Sequence, residues 1–343
     1  MSPALTDEYP WTQAPIIACA PMRLIALAPL AVAVSRAGGL GFIGAGEDLS
    51  ELHKHMQHAK ELLEQSPIAG AGAVPGVLPI GIGFINWGAD LSTALEVVEK
   101  YVPAAIWLFA PKKNEDLVQW ADEIRNATKG KTKIWIQVGT VADARELTKM
   151  CKPDVLVVQG ADAGGHGLER GASIISLLPE VADALKHDSM GNISLVAAGG
   201  VVEGRGVAAA LALGADGVAM GTRFLASVEA TIAKGYQDDV LRSRDGGIST
   251  ARSRVYDALR GIDGWPIRYG GRGIINESFL DAPNGEITQE NMQRYQRALG
   301  EGDQGWGEHG RLTAYAGTGV GLVKDVVSVR QILEDVRTHV LYK

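Results

Sequence analysis

Residues 193–224 read ISLVAAGGVVEGRGVAAALALGADGVAMGTRF. An apolar run at 193–198 ends in Gly199-Gly200, an alanine-rich stretch of helical composition fills about 203–213, and a second apolar run at 217–220 ends in Gly221-Thr222. The spacing between the two glycine-bearing ends holds one helix and one strand. Strands that are apolar at successive positions are buried on both faces, as parallel strands covered by helices are. The stretch therefore reads as β-α-β, with both glycine ends at the carboxyl ends of neighbouring parallel strands.

The same punctuation recurs upstream. Apolar runs bounded by Gly, Pro or Asn stand at 16–22, 40–44, 78–84, 104–109, 133–138 and 155–159, which with 193–198 and 217–220 makes eight strand candidates. Between them, about 24–37, 49–65, 90–101, 114–128, 141–150, 173–186 and 203–213 have helical period and composition. Asp90 stands where an N-cap is wanted, and Gly38 follows Ala37 as a helix C-terminal signal. Alternating strands and helices specify a parallel α/β fold. Eight of them favour closure into a (β/α)8 TIM barrel over an open doubly wound sheet.

The eighth helix is displaced. Its best candidate is 327–341, while 228–312 has a different texture of basic pairs, glycines, Trp265 and Trp306, and a helical segment at 288–299. The expected organisation is a barrel of 1–227 and 313–343 with a smaller, mainly helical insertion at 228–312 as a lid over its mouth.

A chain of 343 residues with 46% hydrophobic and 21% charged residues is ordinary globular material. Net charge is −7 and no Lys/Arg stripe appears, which argues against nucleic acid or anionic lipid as main partner. The longest apolar stretch, 24–34, is too short for a membrane span and contains Pro29. Cys19 and Cys151 form no CxxC pair, and no basic-then-apolar leader is evident, so a reduced, cytoplasmic setting is expected. No metal site is expected: His53, His55 and His58 read as the solvated face of a helix. Oligomeric state is not legible, and a homodimer stays open.

In a TIM barrel the ends of strands seven and eight commonly bind phosphate. Gly199, Gly200 and Gly221 let backbone N–H groups approach an anion, and Thr222 adds a hydroxyl. At 157–167, VVQGADAGGHG, the sixth strand runs into Gln159 and then a loop of little bulk around one imidazole, His166. A strand-end carboxamide both donates and accepts, which suits the edge of a flavin pyrimidine ring. The small loop leaves room for a planar ring, with His166 at the rim able to take a proton near neutrality. The competing reading is a histidine that merely caps a loop.

With QGADAGGHG, AAGGV and AMGTRFLAS in that order, APM and AVAVSRAGGLGFIGAG near the start and YAGTGVGLV near the end, the chain resembles the nitronate monooxygenases, formerly 2-nitropropane dioxygenases, along nearly its whole length. The resemblance implies an FMN cofactor held by Met22, Gln159, Gly164, Gly200 and the run Ala219, Met220, Gly221, Thr222, with His166 as catalytic histidine. It implies alkyl nitronate and O2 as reactants, carbonyl compound and nitrite as products, and a narrow apolar pocket lined by Met22, Tyr315 and lid aromatics. One departure stands out: many relatives carry an Asn in a GVN pattern after the third strand, where this chain reads Gly81-Ile82-Gly83. Asn86 and Gln137 are the candidate substitutes. A flavin-dependent NAD(P)H:quinone or enoyl-thioester reductase shares the framework, and a flavin-free barrel binding a phosphorylated metabolite needs only the phosphate loops.

Overall fold

A computed structural model describes residues 5–341. Eight parallel strands close into a barrel: β1 (Ile16–Cys19), β2 (Leu40–Gly46), β3 (Leu78–Ile85), β4 (Pro103–Phe109), β5 (Lys133–Val138), β6 (Val155–Gln159), then, after β7 (Gly165–Leu168) outside the barrel, β8 (Ser194–Ala198) and β9 (Gly217–Met220). Pairing of Ile16 through Cys19 with Gly217 through Met220 closes the ring. The (β/α)8 expectation holds. The first strand is shorter than its apolar run because Pro21 has no N–H for a ladder.

The helices expected between the barrel strands lie where the apolar period placed them, give or take a turn. Asp90 caps Leu91–Tyr101 by accepting from Thr93 N at 2.8 Å, and Thr140 caps Val141–Cys151 by accepting from Asp143 N at 3.0 Å. Gly38 ends Ala28–Arg36 at φ +80°. Aromatic rings fill the barrel: Phe42 meets Trp107 and Trp135 with centroids 5.3 and 5.2 Å apart, and the Trp135 indole donates to the Tyr9 hydroxyl at 2.7 Å.

After β9 only Thr222–Leu225 is helical before the chain leaves the barrel; it passes through Lys234–Arg242, Val255–Leu259 and Gln289–Leu299, and finishes in Val329–Leu341. Ser227 and Val327 form a parallel bridge, so exit and return lie side by side. The excursion has an apolar cluster of its own, including Tyr256, Leu259, Tyr295 and Leu312. It also contains β10 (Thr250–Ser253) and β11 (Tyr269–Ile274), which pair antiparallel, and β7 adds to the free edge of β11. Residues 165–168, read from sequence as part of a loop, are therefore a strand that ties the barrel to the excursion.

Candidate active site

The carboxyl ends of the barrel strands and the excursion above them enclose a cavity of about 560 Å3. Gly199 and Gly200 from the end of β8 lie on its wall, and so do Ala219, Gly221 and Thr222 from the end of β9. Met22, Gln137, Gln159, Gly164 and His166 join them from the ends of β1, β5, β6 and the segment after β6. Met220 stands apart: its side chain is fully buried in the barrel, outside the cavity wall, and its carbonyl accepts from Ala20 N at 2.9 Å.

Gly199 and Gly200 have φ of +99° and +77°, a region that side chains disfavour. A Cβ on Gly199 would lie 2.9 Å from the Gly160 carbonyl oxygen. Thr222 Oγ1 accepts from Gly317 N at 3.0 Å, and Asp162 Oδ1 accepts from Thr318 Oγ1 at 2.8 Å, so the returning chain is laced to the loops after β9 and β6. Arg252 on β10 gathers carbonyls of the small loop, donating to Ala163 O at 2.7 Å and Gly165 O at 3.0 Å. Burial pushes its guanidinium down to about 10, with Arg272 nearby adding to the effect; it stays a cation at neutral pH.

The carboxamides differ in state. Gln159 donates to the His166 carbonyl at 3.2 Å. Gln137 accepts from the Trp107 indole at 3.0 Å, while its Nε2 is buried and without a partner. Asn86 accepts from Phe109 N at 2.8 Å and is not on the cavity wall. At Gly83 a Cβ would lie 2.3 Å from Pro21 Cβ, so the proline ring takes the space that a side chain would need.

His166 is 12% exposed at its side chain and flat against Trp265, with ring centroids 3.7 Å apart and planes within 5°. Its Nε2 lies 3.0 and 2.9 Å from the two carboxylate oxygens of Asp257 on Val255–Leu259. Tyr315 donates its hydroxyl to Asp257 Oδ1 at 3.1 Å. Burial, and then the Asp257 charge, push the Tyr315 phenol well above its ordinary range, so it keeps the proton it donates. Met22, Tyr315, Trp265 and Trp306 all reach the cavity.

The nitronate monooxygenase family pattern matches residues 85–338 of a chain with this barrel and this cavity. A nitronate monooxygenase of Metarhizium robertsii, npaC, is 48% identical over 337 residues, covering 97% of this chain and 93% of that protein. The chain belongs to the nitronate monooxygenase family. It is thereby an oxidoreductase acting on a small molecule. A second nitronate monooxygenase, of Neurospora crassa, is 36% identical over 97% of this chain and 91% of its own length. Among solved structures, FabK from Thermotoga maritima superposes with a TM-score of 0.73 at 25% identity, over 98% of this chain and 95% of that one. Relatives named nitronate monooxygenase along nearly the full length agree with the family that the sequence resembles.

Trp265 was expected only as one of the lid aromatics at the pocket, and Asp257 does not stand out as a site residue in the sequence. Asp257 sits 91 residues from His166 in a short apolar helix, VYDAL, where an aspartate among buried neighbours was the available signal. Among the described residues no group of three or more His, Cys, Asp or Glu could hold a metal, and no helix is long and apolar enough to cross a membrane. His53 of the helical histidine set lies 3.3 Å from the Tyr101 hydroxyl and 3.2 Å from Lys100 Nζ.

Proposed function

We propose that the chain oxidises alkyl nitronates, and the nitroalkanes from which they form, with bound FMN and O2, releasing a carbonyl compound and nitrite. The residues present fit such a cofactor. Gln137 lines the cavity and its buried Nε2 has no protein partner, and a flavin edge is the acceptor that we assign to it. Gly199 and Gly200, held at positive φ, keep the phosphate end of the cavity free of side chains. Gln137, not Asn86, is therefore our choice for the contact that relatives assign to the missing Asn.

When bound, FMN supplies the electron acceptor and the route to O2. The chain supplies the rest. Gly200, Gly221 and Thr222 bind the phosphate through backbone N–H groups and one hydroxyl. Gln137 and Gln159 orient the ring system, and Met22, Trp306 and Tyr315 give the substrate a narrow, largely apolar space. His166 takes the α-proton of a neutral nitroalkane, or holds a substrate that arrives as the anion by a charge-assisted hydrogen bond. The excursion at 228–312 acts as the lid that keeps water from this chemistry.

The observation that carries the reading is His166 facing one cavity with two glycine-bearing strand ends and an unpartnered carboxamide. The test is the visible spectrum of the purified protein, followed by anaerobic titration with ethylnitronate and then NADH. A yellow protein bleached by ethylnitronate alone fits the reading. Rapid bleaching by NADH with no response to nitronate would turn it toward a quinone or enoyl-thioester reductase, and a colourless protein that takes up no FMN would end it.

A further inference from the structure

We propose that Asp257 is a positioning residue for His166: its carboxylate holds the Nε2 proton in a hydrogen bond and thereby leaves the ring's lone pair on Nδ1, the nitrogen that receives the substrate proton. This rests on His166 acting as the base.

The geometry leaves little choice of tautomer. Both oxygens of Asp257 lie within 3.0 Å of Nε2, and a carboxylate only accepts, so Nε2 carries the hydrogen. A neutral imidazole has one donor and one acceptor nitrogen, which puts the lone pair on Nδ1. Tyr315 donates to the same carboxylate, and Trp265 fixes the plane of the ring by stacking on it. The pairing of His166 with Gly271 in the β7–β11 ladder sets the height of the backbone. Four residues remote in sequence, Asp257, Trp265, Gly271 and Tyr315, thus constrain one ring.

Asp257 is 3% exposed at its side chain, so the interaction is shielded from water and salt. When the substrate's C–H bond breaks, its proton goes to Nδ1 and the electron pair spreads into the nitro group. The imidazolium so formed then faces a buried carboxylate, which stabilises it in the way that a base–orienter pair does. Because Asp257 stands on Val255–Leu259, the base is complete only when this segment is docked on the barrel.

The test combines 15N NMR of histidine-labelled protein with kinetics on a neutral nitroalkane and on its nitronate, for the wild type, D257N, Y315F and H166N. The resonance lost in H166N identifies the ring. Expected in the wild type is the Nε2–H tautomer. In D257N that preference disappears, and kcat for the neutral substrate falls about 100-fold while KM and nitronate turnover stay within about threefold. Y315F, which removes only one support of Oδ1, moves the tautomer ratio part-way in the same direction and decides the matter if D257N does not fold. Retention of the Nε2–H tautomer in D257N with neutral-substrate kcat within about threefold of wild type overturns the proposal, as does an unchanged ratio in Y315F where that variant alone can be purified. If H166N spares the neutral nitroalkane, the base reading falls, and the tautomer comparison still decides what Asp257 does.

Discussion

The imidazole of His166 and the indole of Trp265 lie parallel at 3.7 Å between centroids, a stacked pair that spans the barrel loop and the chain above it. Trp265 is buried among Trp87, Phe109 and Tyr269, so its position is set independently of the histidine. Truncation to Ala removes the surface on which the ring rests and opens a void, costing roughly 3–5 kcal/mol of stability. W265A is expected to melt lower and to lose about tenfold in kcat, whereas W265F keeps a flat face and stays within about threefold. Thermal melts and steady-state kinetics on both variants check this; equal losses in both would mean that the ring's flat face is irrelevant.

Gly200 makes a sharper test of the strand-end loop. At φ +77°, with Asp162 Cβ 3.1 Å from where a Cβ would stand, G200A strains the backbone and crowds the loop. The expected cost is about 1–3 kcal/mol in stability. On our functional reading, FMN uptake falls as well, measured as bound flavin per chain after purification and reconstitution. G221A is the contrast: its Cβ would meet nothing closer than 3.8 Å, so the fold tolerates it and only cofactor binding reports on it.

What could be read in the sequence followed from which forces act locally. Barrel strands are buried on both faces, so β5, β6 and β9 announce themselves as apolar runs with the very bounds that the structure gives. β7 does not, because Gly165-His166-Gly167-Leu168 has two glycines and little strand propensity; its pairing with Tyr269–Ile274, a hundred residues on, creates the strand. Gln159, His166 and the glycine ends were legible because strand-to-loop transitions punctuate the sequence. Asp257 was not, since an acceptor that arrives from a distant helix leaves no trace in local spacing.

Asp143 and Arg268 offer a pH-dependent check on how Tyr269–Ile274 is moored to the barrel. Arg268 donates from both terminal nitrogens to Asp143 beside the Thr140 cap. Burial alone would raise the Asp143 carboxyl; Arg268 and Thr140 outweigh it and hold the group below its ordinary value. A carboxyl lowered in the fold stabilises it above the unfolded value of about 3.9, and loses that contribution as pH falls through the folded one. Because Arg268 is 42% exposed, the pair is worth about 1 kcal/mol at neutral pH. D143N is expected to cost that much at pH 7, and the difference between the two proteins should vanish well below pH 4. Melts across pH 2–7 measure it, and a constant difference down to pH 2 would contradict the assignment.

Gln137 is our choice for the side-chain amide that contacts the cofactor, since Gly83 at β3 offers none. Among the described residues two buried carboxamides have unpartnered nitrogens, Gln137 Nε2 and Asn86 Nδ2, and of these two only Gln137 stands on the cavity wall. A single hydrogen bond regained from a ligand is worth about 1 kcal/mol, or roughly five- to tenfold in affinity. Q137L should therefore weaken FMN binding by about that factor, while N86L leaves affinity alone and destabilises the fold, since Phe109 N loses its acceptor. Q137L also strips the Trp107 indole of its acceptor, so Q137M, of similar length, serves as a second apolar replacement against which to separate packing from hydrogen bonding. Flavin titration of the apoprotein by fluorescence quenching reads the affinity, and a denaturant melt of the apoprotein reads the fold. Loss of affinity in N86L at unchanged affinity in Q137L would reverse the assignment, because it would mean that the unpartnered nitrogen of Asn86, rather than that of Gln137, reaches the cofactor.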